Sequence, residues 1–417
     1  MAAPKLAEAE ALAKTAPAKA AALYEQILST VTGKSDEEIK VRETSILNLG
    51  SIYQKEANKD ALAALIRNSR TFLVSIPKAK TAKIVKQLID LFTEIPNSLN
   101  LQVDICKESI EWATTEKRVF LKQSLETRLA ALYLENKLYT EALSLINVLI
   151  KELKRLDDKN VLMEVQLLES RVFHSLRNLP KSRAALTSAR TSANSIYCPP
   201  LMQAGLDMQS GVLHAEEKDY KTAYSYFYET LEGYNSQDDR RAVSALKYML
   251  LCKIMLNLAE DVHAIVNGKI ALRYAGSEVE AMRAVANAHQ NRSLIEFESA
   301  ISKYKEELGN DPIIRSHLTA LYDTLLEQNL LRIIEPFSRV EISHVASLVK
   351  LPTAQVEQKL SQMILDNVFD GVLDQGVGCL IVFEEVKTDK TYEAALETIK
   401  SMGNVVESLY QKAALLT

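Results

Sequence analysis

Histidine and cysteine carry much of the catalytic and metal-binding chemistry of proteins, and this chain holds few of either. The six histidines, His174, His214, His263, His289, His317 and His344, show no H-x-H or H-E-x-x-H spacing. A metallohydrolase needs imidazoles brought to one face beside a general base, and such spacing is how a helix supplies them. His214 falls within a helical repeat and is expected to pack between helices. The four cysteines, Cys106, Cys198, Cys252 and Cys379, lie 92, 54 and 127 residues apart. That spacing suits neither a zinc site nor a disulfide framework and predicts buried, reduced thiols. No Gly-x-Ser-x-Gly elbow occurs, and no cysteine sits in a local nucleophile motif. Gly371, Gly376 and Gly378 lack the lysine and following helix of a phosphate loop. Nothing among the 54 carboxylates marks out an acid–base pair. The expectation is a protein that is not an enzyme and uses no metal and no cofactor.

What remains is the chemistry of surfaces. Near the end of the chain, Tyr392, Ala395, Ile399, Met402, Val406, Leu409, Ala413 and Leu416 recur at intervals of 3 and 4 residues. This heptad stripe predicts a helix over 389–416 that packs in a bundle with helices of partner chains. Just before it, residues 368–373 and 378–383 read as two strands joined across Asp374-Gln375-Gly376, with Gly376 taking the positive φ of the turn. Phe369, Val372, Leu373, Leu380, Ile381 and Phe383 make this hairpin apolar. Part of it must pack on its own domain, and Phe369, Val372, Leu380, Ile381 and Phe383 are the candidate partner contacts, with sheet extension across subunits as the mode.

Three helices precede the hairpin, over 322–334, 342–350 and 353–366. The first is stopped by Glu335-Pro336, because proline donates no N–H and disfavours helix before itself. Three helices followed by a two-stranded wing is a winged-helix pattern. Its third helix carries one basic residue, Lys359, against Glu357 and Asp366, and the wing has Asp370 and Asp374 with no Lys or Arg. Binding a nucleic-acid backbone means neutralising phosphates, and this surface is poorly equipped for it.

Residues upstream repeat. Large residues near the end of successive first helices, Tyr53, Phe92, Tyr133, Phe173, His214 and Ile254, stand 39–41 residues apart. Leucine stands four residues before four of these anchors, and Ala142, Ser182 and Ala223 stand nine residues after the three central ones. Small residues there let the second helix of a pair approach the first. LAALYLENKLYTEALSLI (129–146) is the clearest unit and resembles a tetratricopeptide repeat. Such pairs bury their faces only by stacking. Basic clusters at Lys78/Lys80/Lys83/Lys86 and Lys151/Lys154/Arg155 read as solvated helix faces.

The bounds agree. The chain has 417 residues, is 47% apolar and 25% charged, and holds only 12 Gly and 10 Pro, which points to long helices and short connections. A net charge of −4 gives no reason to expect a polyanionic partner. The amino-terminal stretch lacks a signal-peptide apolar run, and no stretch of about 18 apolar residues exists. The expected fold is an all-α solenoid of TPR-like helix pairs (1–295), a winged-helix domain with a small β-hairpin (296–387) and a long C-terminal helix (388–417).

A helical-repeat solenoid leading into a winged helix is the PCI layout. LDMQSG (206–211), ALKYMLLCKIMLN (245–257), ALRYAG (271–276), LLEQNLLRIIEPFSRVEI (325–342), VEQKLSQMILD (356–366) and DKTYEAALETI (389–399) resemble the PCI-domain lid subunits of the proteasome regulatory particle. The resemblance spans the chain from about residue 40. It implies a non-catalytic scaffold whose winged helix joins other PCI lid subunits side by side and whose C-terminal helix enters an assembly bundle. It further implies that the solenoid meets an ATPase-ring subunit and a core-particle α subunit beside the lid deubiquitinase, in cytoplasm and nucleus. The competing class is a PCI subunit of a nucleic-acid-associated complex, which the acidic wing disfavours.

Overall fold

The computed structural model describes residues 17–30, 36–73, 76–95, 98–309, 311–383 and 390–414, with Ala9 and Leu12. The chain divides into two compact units, Met1–Leu256 and Asn257–Thr417.

Helical hairpins make up the first unit. It begins with α1 (Pro17–Thr30), α2 (Asp36–Lys55), α3 (Lys59–Leu73), α4 (Lys78–Asp90), a 3-10 turn (Leu91–Glu94) and α5 (Leu99–Thr115). The regular array follows: α6 (Val119–Glu135) with α7 (Tyr139–Leu156), α8 (Lys159–Ser175) with α9 (Leu179–Asn194), and α10 (Pro200–Glu216) with α11 (Tyr220–Asn235), then α12 (Ala242–Met255).

The period has a local cause. The carbonyls of Tyr53, Tyr133, Phe173 and His214 accept the N–H of Asn58, Leu138, Asn178 and Asp219 at 2.9–3.0 Å. Before each donor stands a left-handed residue: Ala57, Lys137, Arg177 and Lys218, with φ of 53°, 61°, 58° and 65°. This closure of the helix end is a Schellman turn. A side chain at such φ costs about 1–2 kcal/mol, offset by carbonyls that would otherwise go unpaired. The side chains of Asn58, Asn178 and Asp219 then accept the N–H of Ala61, Lys181 and Thr222 and start the next helix. One short stretch therefore ends a helix and caps its successor. Within the pairs, Ala142, Ser182 and Ala223 are fully buried, as close packing requires. Ser182 satisfies its hydroxyl by donating to the Ser170 carbonyl at 2.8 Å.

In the second unit come α13 (Ala259–Val266), α14 (Lys269–Arg273), α15 (Ser277–Gln290), α16 (Leu294–Lys303), α17 (Lys305–Gly309) and α18 (Pro312–Ile334). The winged helix continues with β1 (Arg339–Glu341), α19 (Ile342–Val349), α20 (Thr353–Leu365), β2 (Gly371–Asp374) and β3 (Cys379–Val382), and α21 (Lys390–Ala414) ends the described chain. Leu325, Leu330 and Ile334 of α18 share its core with Val345, Val356, Leu360, Met363 and Leu380, all buried.

Three details depart from the sequence expectation. α18 begins at Pro312, ten residues before the expected start, with Asp311 capping it by accepting the Ile313 N–H at 3.0 Å. The sheet has three strands in the order β1-β3-β2, not two. Arg339, Val340 and Glu341 pair antiparallel with Ile381, Leu380 and Cys379. Finally, Gly378 and not Gly376 is left-handed, with φ 68°. Asp374 Oδ1 accepts the N–H groups of Gly376 and Val377 at 3.0 and 3.3 Å, so a side chain closes the loop early and the reversal falls two residues later.

Candidate functional site

The C-terminal helix is the most unusual surface. Good helix formers (Ala394, Ala395, Leu396, Glu397) open α21, and its apolar residues recur on one side. In a water-soluble fold that side normally lies on a core. Here every residue of 391–414 is exposed. Tyr392, Ile399, Met402, Val406 and Leu409 are 61–76% exposed, and Ala395 and Ala413 are exposed with them. Covering each of the large side chains would release about 1.5–3 kcal/mol. Leu416 lies outside the described residues.

Heptad reading alone understates this stripe. Leu396, Val405 and Tyr410 are exposed as well. Leu396 and Tyr410 each follow an inner position of the heptad by one residue and widen the seam on one flank, while Val405 widens it on the other. A two-residue seam serves a pair of helices, whereas a face this wide suits the interior of a bundle. The signal was present in the flanking heptad positions.

The wing divides. Leu380 is 0% exposed and belongs to the unit's own core, which removes it from the candidate contacts. The alternation of a strand sends one side inward, and Leu380 is on that side, opposite Leu373. Phe369 and Ile381 are half-buried, while Val372 and Phe383 are half-exposed, at 50% and 52%. Val368 and Val377 are also exposed. Because β3 is flanked by β1 and β2, it has no free edge. Sheet extension is left to the outer edge of β2 (371–374) or of β1. The short alternation Arg339-Val340-Glu341 was the sequence signal for the extra strand, at a length too small to stand out.

Charge at the winged helix matches the acidic reading. Lys359, the one basic residue of α20, points back to Glu327 of α18, with Nζ 2.8 Å from Oε1 and its side chain only 15% exposed. It is engaged in an ion pair and not presented to a phosphate.

Several histidines and cysteines elsewhere are built into packing. His214 stacks on Tyr226, with ring centroids 5.5 Å apart, and lies 3.8 Å from Asp219. His174 is 3.6 Å from Glu216. His289 and His317 are buried. Burial holds the His289 imidazole below its ordinary pKa of 6.5, and the Arg292 guanidinium adds to that. Burial pushes the Cys252 thiol up to about 12 and the Cys106 thiol up to about 11, values at which neither is a nucleophile near neutral pH. Among the described residues no group of three His, Cys, Asp or Glu is placed to hold a metal ion. No helix among them is long and apolar enough to cross a membrane.

Comparison with known proteins covers these surfaces. The family model described as the 26S proteasome regulatory subunit RPN6 N-terminal domain matches residues 2–136. The PCI domain matches 301–384, and the 26S proteasome subunit RPN6 C-terminal helix domain matches 388–414. The chain is 56% identical over 397 residues to the probable 26S proteasome regulatory subunit rpn6 of Schizosaccharomyces pombe, covering 95% of this chain and 94% of that protein. It is 56% identical over 380 residues to the 26S proteasome non-ATPase regulatory subunit 11 homolog of Arabidopsis thaliana, covering 91% of each. To the 26S proteasome regulatory subunit RPN6 of Saccharomyces cerevisiae it is 51% identical over 386 residues, covering 91% of this chain and 89% of that one.

Proposed function

This chain belongs to the RPN6 family of 26S proteasome regulatory subunits, and from that premise we propose that it is a non-catalytic scaffold of the regulatory-particle lid. Its work is geometric. The C-terminal helix enters a bundle with helices of other lid subunits and drives assembly. The winged helix joins a neighbouring PCI subunit through the outer edge of its sheet and the apolar residues Val372 and Phe383. The helical-repeat arm reaches an ATPase-ring subunit and a core-particle α subunit beside the lid deubiquitinase, clamping lid and core in ubiquitin-dependent degradation. Functionally the chain divides into arm (1–295), PCI module (296–387) and bundle helix (388–417), and it acts in cytoplasm and nucleus.

The observation that carries this reading is α21: a helix with a wide apolar face, every residue of 391–414 exposed. An unpartnered face of that kind in a monomer marks a protein interaction site.

The test is affinity purification of tagged full-length protein and of a Met402→Asp/Val406→Asp double variant, with mass spectrometry and a peptidase assay on the eluates. Full-length protein is expected to bring down active proteasome, and the variant to lose lid subunits while keeping its own melting temperature. Equal recovery of lid subunits by both would sink the assembly role of the helix.

A further inference from the structure

A cavity of about 730 Å³ opens at the base of the wing, between the end of α18 and the sheet. Three aromatic rings, Phe337, Phe369 and Phe383, line it together with Arg292, Arg332 and Gln328. Phe337 and Phe383 are 42% and 52% exposed, whereas Phe92, Phe227 and Phe297 are buried. Each segment here is held by backbone hydrogen bonds. The Phe337 N–H donates to the Ile334 carbonyl at 2.9 Å, and the Phe383 N–H to that of Asp370 at 2.8 Å. The backbone that carries Phe337 and Phe383 is thereby fixed at the mouth of the cavity.

The cations are placed with equal care. Arg292 sits at a left-handed turn, φ 49°, just after α15, and its N–H donates to the His289 carbonyl at 3.1 Å. Arg332 stands in the last turn of α18. Neither guanidinium has an ion-pair partner among the described residues. Glu335 is the one carboxylate in the lining, so the lining carries net positive charge. A second cavity of about 390 Å³ shares Arg292 and Gln328 and continues the trough toward α13, where Glu260 and Asp261 line it. The positive character is thus confined to the aromatic end.

We propose that this cavity is a docking pocket for a peptide segment of a partner protein, in which a bulky apolar side chain is flanked by carboxylates. The apolar side chain fills the space between the phenylalanines, and the carboxylates meet Arg292 and Arg332. Aromatic and arginine side chains are the residues that dominate binding at protein interfaces, and a guanidinium pairs with a carboxylate through two parallel hydrogen bonds. The volume lies within the range of pockets that bury a ligand's surface. Two arginines beside three phenylalanines suit a peptide better than a phosphate backbone, because Asp370 and Asp374 flank the same wing. The proposal does not rest on the assignment to the lid. It shares Phe383 with the proposed PCI contact but is read through Arg292 and Arg332, so sheet extension at β2 can fail while it holds.

The test is selection from a random-peptide display library on the immobilised full-length protein, run in parallel on an R292E/R332E variant. Both arginines are exposed, so the variant is expected to keep its melting temperature, and a single Phe383→Ser variant provides a second probe of the apolar half. Recovered peptides are expected to carry Leu, Ile, Phe or Trp beside Asp or Glu. They should lose about tenfold or more in affinity on the charge-reversed protein, and versions with Lys in place of the acids should bind that protein instead. No enrichment, or enriched peptides that bind both proteins equally, would overturn the proposal. So would a fluorescent single-stranded RNA that binds through these two arginines while no peptide does, which would assign the cavity to nucleic acid.

Discussion

At Gly211 a single hydrogen stands where any other residue would place a carbon. A Cβ there would lie 2.6 Å from Cε1 of Phe227, whose ring is itself locked at 1% exposure against Tyr248. The buried ring would have to shift to make room, so Gly211→Ala is expected to destabilise the fold by about 1–3 kcal/mol, read as a lower midpoint in chemical denaturation. Gly403, in the exposed C-terminal helix, meets nothing within 4 Å. The same change there should leave the midpoint alone and raise helix content. His289 gives the residue scale its pH dependence. Burial first, and Arg292 second, lower its pKa below the ordinary 6.5. The folded state then binds its proton less tightly than the unfolded chain. The stability it contributes is complete above the unfolded value and is lost as pH falls through that value toward the folded one. Its buried Nε2 has no hydrogen-bond partner among the described residues, so His289→Leu is expected to leave none of them with an unpaired polar group. Thermal melts from pH 7.5 down to 5.5 should show a smaller loss for that variant than for the parent protein.

At the scale of elements, the C-terminal helix stands apart from the two units' cores. Since residues 391–414 are exposed throughout, deleting 389–417 should leave a single cooperative melt at an unchanged temperature. Aggregation or a lost transition would mean that the stripe belongs to this chain's own core. The tail was legible in the sequence because a heptad is a long-range pattern that only a helix satisfies. The helix pairs were legible for a related reason: Asn58, Asn178 and Asp219 each cap a helix five residues after an anchor carbonyl, so the period is written in local hydrogen bonds. The wing was half legible. Val368 to Phe383 reads as two short apolar runs about a turn, but β1 is three residues long and its pairing with β3 joins positions some forty residues apart. Nothing local specifies such a contact. The shift of the turn from Gly376 to Gly378 depended on which backbone groups the Asp374 carboxylate chose. Leu380 could not be assigned to core or surface without the strand's facing, and the pocket residues Arg292, Arg332 and Phe337 come together only through the fold.

For the whole molecule, the two compact units bury cores of their own and leave particular apolar residues exposed, which the proposed function assigns to other chains. On the reading proposed above, the helical repeats, the three-stranded wing and the uncovered helix are parts of one scaffold. Hydrogen exchange across residues 391–414 tests this most directly, measured on the free protein and on the protein recovered in assembled proteasome. A helix with no packing partner opens readily, because most helical stability in proteins comes from burying an apolar face. The account predicts fast exchange of this segment in the free chain, slow exchange in the particle, and slow exchange of α18 and α20 in both. Protection of 391–414 already present in the free chain, or absent from the particle, would contradict it.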